Sequence, residues 1–275
     1  MSNPIARPSR LAAVFERCKQ EGRSALVGYL TAGDPDVPTS EALLLALAEQ
    51  SDILEIGMPF SDPMADGPVI QAASERALEA GTHIADVFAL TKTVRDAHPD
   101  LGIVLMGYAN VPYAMGFDIF SERAKAAGAD GVLIVDIPAE EGNICDASLK
   151  QHGLDRIMLL SPTSTDERIK LACACASGFI YYVSLNGITG ADMGDMQGIQ
   201  DKVKHIKCIS NDLPVCVGFG VKTPGQATQV AAFSDGVVVG SHFVGHIPQA
   251  DNKADICGAL SVSAASMRKA VGAIA

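Results

Sequence analysis

The 275-residue chain contains no tryptophan, and aromatic residues make up only 5% of it. That scarcity by itself identifies no activity, but other absences exclude more. No stretch approaches the roughly 18 consecutive apolar residues of a membrane span. The first residues, MSNPIARPSR, lack the apolar centre of a secretion signal, so a cytoplasmic protein is expected. Basic residues are scarce as well: 21 Lys and Arg stand against 32 Asp and Glu, for a net charge of -11. Nucleic acids and anionic membranes select basic patches, so neither is an expected partner. A small phosphate ester is not excluded, because backbone N–H groups hold phosphate without any cation.

Metal and redox motifs are missing too. The seven cysteines are an odd number without a secretory context, which makes reduced thiols the default. Cys173 and Cys175 lie two apart in a helical pattern and so do not face each other. His242 and His246 are four apart but have no third ligand nearby, and they read as helix surface or packing residues. No metal site is expected.

What is present is a rhythm. Apolar, strand-like runs occur at Ala25–Leu30, Asp52–Ile56, Gly102–Tyr108, Gly131–Asp136, Arg156–Ser161, Phe179–Ser184, Val215–Gly220 and Asp235–Gly240. Helical patterns separate them, and an additional amphipathic helix over 7–21 places Leu11, Val14, Phe15 and Cys18 on one face. Eight strands alternating with helices predict a (β/α)₈ TIM barrel over residues 1–248 as a single domain. A doubly wound open sheet is the alternative, but it would carry Gly-x-Gly-x-x-Gly after an early strand, and none is present. The Ala- and Ser-rich tail, 249–275, is expected to be helical and to pack on the barrel exterior.

The stretch Ile53-Leu-Glu-Ile-Gly-Met-Pro-Phe-Ser-Asp-Pro-Met-Ala-Asp-Gly-Pro68 concentrates the chemistry. Side chains alternate across a strand, so Glu55 shares a face with Ile53 and points into a dry interior if both faces are covered. Burial without a partner raises a carboxyl pKa toward neutrality, which suits a general acid/base. Pro59, Pro63 and Pro68 stiffen the loop that presents Asp62 and Asp66. A strand Glu is more commonly structural, and Asp-Pro and Asp-Gly are ordinary turn chemistry; the combination is what singles this stretch out.

Barrels of this type build their sites at the C-terminal strand ends. Glu55, Asp66, Tyr108, Asp136 and Tyr181 stand there, with glycine turns at Gly187–Gly190, Gly218–Gly220 and Gly240–Ser241. Successive glycine turns let backbone N–H groups approach an anion, as in the phosphate pockets of such barrels. The glycine-rich segment 185–198 is long for a connection and reads as a lid.

Together these segments resemble the tryptophan synthase alpha subunit family. The matching stretches are Gly28-Tyr-Leu-Thr-Ala-Gly-Asp-Pro35, Leu54 through Pro68, Met106-Gly-Tyr-Ala-Asn110, Val135-Asp-Ile-Pro138, Tyr181 through Gly190, Gly218-Phe-Gly220 and Val239-Gly-Ser241. The resemblance implies retro-aldol cleavage of indole-3-glycerol phosphate to indole and glyceraldehyde 3-phosphate, without metal or organic cofactor. Glu55 matches the family's general acid/base and Asp66 the carboxylate that binds the indole N–H. Tyr29 and Met106 match positions packing the indole ring, and Tyr181 matches a tyrosine lining the site. Thr189 matches the lid threonine; Gly190, Gly220, Gly240 and Ser241 match the phosphate-holding turns. Asp62, Asn110 and Pro138 match loop positions facing a beta subunit, which carries pyridoxal phosphate and receives indole through a tunnel in an alpha2beta2 complex. Without tryptophan, the indole pocket must rely on Phe, Tyr, Leu, Ile and Met.

The sequence departs from the family at His242, where a small apolar residue is usual, and at Gly245-His246, in place of a basic helix start. The alternatives to a partner-activated lyase are a free-standing indole-releasing lyase, a silent subunit that only activates the beta chain, and another phosphate-sugar barrel such as a phosphoribosyl isomerase.

Overall fold

A computed structural model describes residues 9–183, 196–210, 212–218, 220–249 and 252–272. Its strands are β1 (Ala25–Thr31), β2 (Ile53–Gly57), β3 (Gly102–Gly107), β4 (Gly131–Ile134), β5 (Asp155–Arg156), β6 (Met158–Leu160), β7 (Ile180–Val183), β8 (Val215–Gly218) and β9 (Gly236–Val239). All pair in parallel, in the order β5-β4-β3-β2-β1-β9-β8-β7-β6. The segments β5 and β6 are one strand interrupted at Ile157, whose N–H still donates to Val132 O at 3.0 Å. One half pairs with β4 and the other with β7, which closes the barrel at eight strand positions.

Two apolar layers result from strand alternation. Residues on one face of the strands, among them Val27, Ile53, Val104, Leu133, Ile157, Tyr181, Cys216 and Val238, fill the barrel interior. Those on the other face pack beneath the surrounding helices in a larger cluster that includes Leu26, Leu54, Leu105, Val217 and Val237. Branched side chains on both faces give the continuous apolar runs of a fully covered parallel sheet.

The helix Arg10–Gln20 plugs the N-terminal end of the barrel. Ser9 caps it by accepting from Ala12 N, and Leu11, Val14, Phe15 and Cys18 form its buried stripe. Phe15 meets Phe179 edge-on, with ring centroids 5.7 Å apart. At the other terminus, the helix Lys253–Val271 begins at an Asn252 cap and buries Ile256, Leu260, Ala264 and Met267. It packs on the helices Pro224–Ala231 and Val37–Ala48.

Some boundaries differ from those the sequence predicts. The helix expected after Ile137-Pro138 is a 3₁₀ turn, Ala139–Ile144, followed by a short helix, Asp146–Gln151. Gly142 lies against the Arg156 guanidinium there and leaves no room for a side chain. The helix at Ser241 ends after one turn, at Val244, and the chain passes into a 3₁₀ turn at Ile247–Gln249. Pro248 lacks the N–H a helix needs. Most of the 185–198 segment lies outside the described residues, and its end, from Met196, already belongs to the helix Met196–Ile209.

Buried acids lock the N-terminal end, Asp130 through Arg95 and the Ile103 N–H, and Asp52 most extensively. Asp52, just before β2, accepts from Arg23 Nη1 and Nη2 at 2.7 and 2.9 Å and from Leu26 N at 2.9 Å. Arg268 of the last helix and Arg17 of the first also reach it. Burial pushes this carboxyl up, but the Arg23 bonds, the Leu26 N–H and the nearby arginine charges outweigh it and hold the group below its usual range. Removing one partner of a buried ion pair strands the other. Asp52→Ala is therefore expected to lower stability by about 3–5 kcal/mol, read as a reduced midpoint in urea unfolding.

Candidate active site

Glu55 is fully buried in the middle of β2. Register places it between Tyr29 of β1 and Val104 of β3. Among the described residues neither of its carboxyl oxygens finds a hydrogen-bond partner. Desolvation alone raises its pKa from 4.5 to about 8, so the group is predominantly protonated at pH 7. An unpaired buried carboxyl is costly and rarely retained for structure. It marks the functional end of the barrel.

Two tyrosines converge on it. The Tyr29 ring lies beside Gly57 and Gly240, and the Tyr181 hydroxyl lies beside Gly218. A side chain at Gly57 or Gly218 would collide with these phenols, so glycine at both strand ends is a packing requirement. The Tyr29 hydroxyl is 3.3 Å from Thr31 Oγ1. Burial first, then the carboxylates of Asp66 and Glu55, keep the Tyr29 hydroxyl well above its usual range. Burial, Glu55 and Asp66 act in the same direction on Tyr181. Both phenols thus lie within electrostatic reach of both acids at one end of the barrel. Met106, half-buried at the end of β3, pairs with Gly57 one layer further out.

Asp66 comes from the loop after β2. Tyr108 Oη donates to its Oδ2 at 3.1 Å and accepts from Ala65 N at 3.0 Å. Gln71, on the helix Pro68–Glu79, donates to Asp66 O at 2.8 Å. Burial raises the Asp66 pKa, and the Tyr108 bond partly opposes that. Sequence reasoning placed Tyr108 at a strand end but gave it no role, and missed Gln71 altogether. An aromatic residue closing β3 was the only signal for the first; the second had none.

Gly220 and Gly240 follow the paired strands β8 and β9, and Ser241 opens the one-turn helix. Gly220 has φ +82°, a backbone shape that only glycine adopts without strain. Thr189 and Gly190 lie outside the described residues. Asp62 and Pro138 are exposed on loops at this end of the barrel, and Asn110 is exposed at the start of the short helix Asn110–Met115. Asp136 accepts from Ala109 N at 2.7 Å and so fixes the turn that leads to Asn110. Among the described residues no three His, Cys, Asp or Glu side chains converge as a metal site.

Comparison with known proteins agrees with this fold. Residues 15–272 match the family described as tryptophan synthase alpha chain. The chain is 45% identical over 265 residues to the tryptophan synthase alpha chain of Zymomonas mobilis subsp. mobilis, covering 96% of each. It is 50% identical over 237 residues to that of Geobacter sulfurreducens, covering 86% of this chain and 89% of the relative. Among solved structures, the tryptophan synthase alpha chain of Legionella pneumophila subsp. pneumophila superposes with a TM-score of 0.87 at 37% identity, covering 96% and 97% of the two chains. A chain of Mycobacterium tuberculosis tryptophan synthase gives 0.88 at 37% identity, covering 96% and 99%. With a closed parallel barrel, a buried acid on its second strand and this similarity along nearly its whole length, the chain belongs to the tryptophan synthase alpha chain family.

Proposed function

We propose that Glu55 and Asp66 are the two carboxyl groups with which this chain cleaves indole-3-glycerol phosphate to indole and glyceraldehyde 3-phosphate. The protein is a carbon–carbon lyase of tryptophan biosynthesis, working in the cytoplasm. The observation that carries the assignment is the fully buried, unpartnered Glu55 carboxyl with its pKa near 8. Protonated at pH 7, it donates to C3 of the indole ring. Positive charge then gathers on the ring nitrogen, where the Asp66 carboxylate accepts the N–H and stabilises it. The Glu55 carboxylate just formed takes the proton of the glycerol hydroxyl on the carbon attached to C3. The C–C bond breaks, its electrons return to the indole ring, and the hydroxyl-bearing carbon leaves as the aldehyde. One group can both give and take a proton because its pKa lies close to the working pH.

Tyr29, Met106 and Tyr181 line the ring site, the turns bearing Gly190, Gly220, Gly240 and Ser241 hold the phosphate, and Thr189 is assigned to the lid. The partner is a tryptophan synthase beta subunit in an alpha2beta2 complex, and pyridoxal phosphate belongs to that subunit. Asp62, Asn110 and Pro138 face it. Support comes from two large apolar side chains on the same elements: Met64 and Tyr113 are 79% and 72% exposed, as in the anchor positions of an interface.

Indole release from indole-3-glycerol phosphate tests this reading in wild type and Glu55→Gln, each alone and with a beta subunit. Slow release that rises with the partner and drops by about a hundred- to ten-thousandfold in Glu55→Gln is expected, the range of a lost general acid/base. Fast release without the partner would instead make the protein a free-standing lyase, and unchanged release in the variant would remove Glu55 from the chemistry.

The same carboxyl sets two pH dependences. Because the acid form starts the reaction, kcat/KM is expected to fall about tenfold per pH unit above pH 8. Folding stability is linked as well. A folded pKa raised from 4.5 to about 8 means the native state holds this proton more tightly than the unfolded chain. Its contribution is fully present below pH 4.5 and is lost as pH rises through 8. Glu55→Gln carries no such penalty, so its stability relative to wild type should improve by up to about 1.4 kcal/mol per pH unit across that window. Thermal melts at pH 4.5, 6 and 8 check this, and a difference independent of pH would contradict it.

A further inference from the structure

The loop that carries Asp66 has no secondary structure of its own between Gly57 and Pro68, yet the carboxylate must meet a planar N–H. Its direction is imposed from outside. Tyr108 follows β3 and is 3% exposed, and its phenol reaches the loop at two successive residues. As donor it engages Asp66 Oδ2, and as acceptor it takes the Ala65 N–H. Its ring is stacked on Phe60 of the same loop, with centroids 5.3 Å apart and planes at 28°. Gln71 fixes the neighbouring main chain through Asp66 O and, at 3.4 Å, Pro63 O. Among the described residues the other Asp66 oxygen, Oδ1, accepts no hydrogen bond.

We propose that Tyr108 is a positioning residue that orients the Asp66 carboxylate and keeps it ionised for the indole N–H. The inference rests on the role given to Asp66 above. Burial and the Asp66 charge keep the phenol protonated through the physiological range, so it remains a donor. A donor on Oδ2 favours the charged form of a carboxyl that burial would otherwise neutralise. It also occupies one oxygen and limits rotation of the carboxylate, which leaves the second for the substrate. Tyr108 does not touch the reacting atoms; it acts through Asp66.

The test is the pH profile of Tyr108→Phe, which keeps the ring and the Phe60 stack but loses both hydrogen bonds. Asp66 must be ionised, so its titration forms the acid limb of kcat/KM. Without the phenol its pKa rises, and the acid limb should move up by about one pH unit. The loss of activity should then be larger at pH 6 than at pH 8. A merely structural contact would lower activity by the same factor at every pH. Should Tyr108→Phe turn over too slowly to profile, the pH dependence of binding an unreactive indole-alkyl phosphate reports the same limb, and an unshifted binding profile would overturn the proposal. Asp66→Asn separates the two readings. Full activity in Asp66→Asn sinks the assignment of Asp66 itself. A dead Asp66→Asn beside a Tyr108→Phe whose limb has not moved sinks only the role of Tyr108.

Discussion

The structure turns on a carboxyl group, that of Glu55, held inside a closed barrel with neither oxygen paired among the described residues. Four positions span the contrast. Asp52, at the foot of β2, takes hydrogen bonds from Arg23 and Leu26 N–H, and its pKa is held down. Glu55, three residues along, has no partner among the described residues and its pKa is pushed up. Neither difference arises from the residue type. The N-terminal end of the barrel is where guanidinium groups from the chain's first and last helices reach the strand, whereas the interior above it is lined by Ile53, Val104, Leu133 and Tyr181. The stabilising acid and the reactive one are therefore set apart by their surroundings. This matches the general division in such barrels between a stability face and a catalytic face.

The two acids of the site are presented in different ways because their tasks differ. Glu55 must remain neutral until it reacts, and a central strand flanked on both sides keeps water and partners away. Asp66 must remain charged, which a barrel interior would oppose. It stands instead on a partly covered loop, where Tyr108 and the main chain around it can be hydrogen-bonded from fixed elements. Burial raises the pKa of both carboxyl groups, but only Asp66 has a hydrogen bond that opposes the rise, and that difference separates the acid from the anion of one reaction.

Much of this was legible in the sequence. The period of apolar runs gives the barrel, and a lone Glu on a run covered on both faces gives the buried acid. The prolines around Asp62 and Asp66 give a stiff loop. What was not legible depends on contacts across long stretches of chain. Tyr108 meets Asp66 only because β3 lies beside β2 and the loop folds back over both strand ends. Gln71 reads as an unremarkable polar position on a helix. The break at Ile157 and the 3₁₀ turn at Ala139–Ile144 follow from barrel closure and from the Arg156 side chain packing against Gly142, neither of which leaves a local pattern. The helix expected from Ser241 is a single turn, Ser241–Val244, because Gly245 and Pro248 just beyond it do not sustain a helix.

The departure at His242 acquires a physical meaning from the last helix. A small apolar residue there would have nothing to offer the chain that packs outside it. His242 instead shares a 2.8 Å hydrogen bond with Ser263 Oγ. Burial first, and then neighbouring His246, lower its pKa, so it meets Ser263 as a neutral ring. Lys253 donates to Pro38 O, Thr228 donates to Ala270 O, and Arg268 reaches Asp52. These bonds run from the tail helix to the helix after β1, to the helix after β8, to the turn after β9 and to the foot of β2. Because the last of them ends on the acid that anchors the strand bearing Glu55, the Lys253–Val271 helix is tied into the same framework that holds the reactive carboxyl in place.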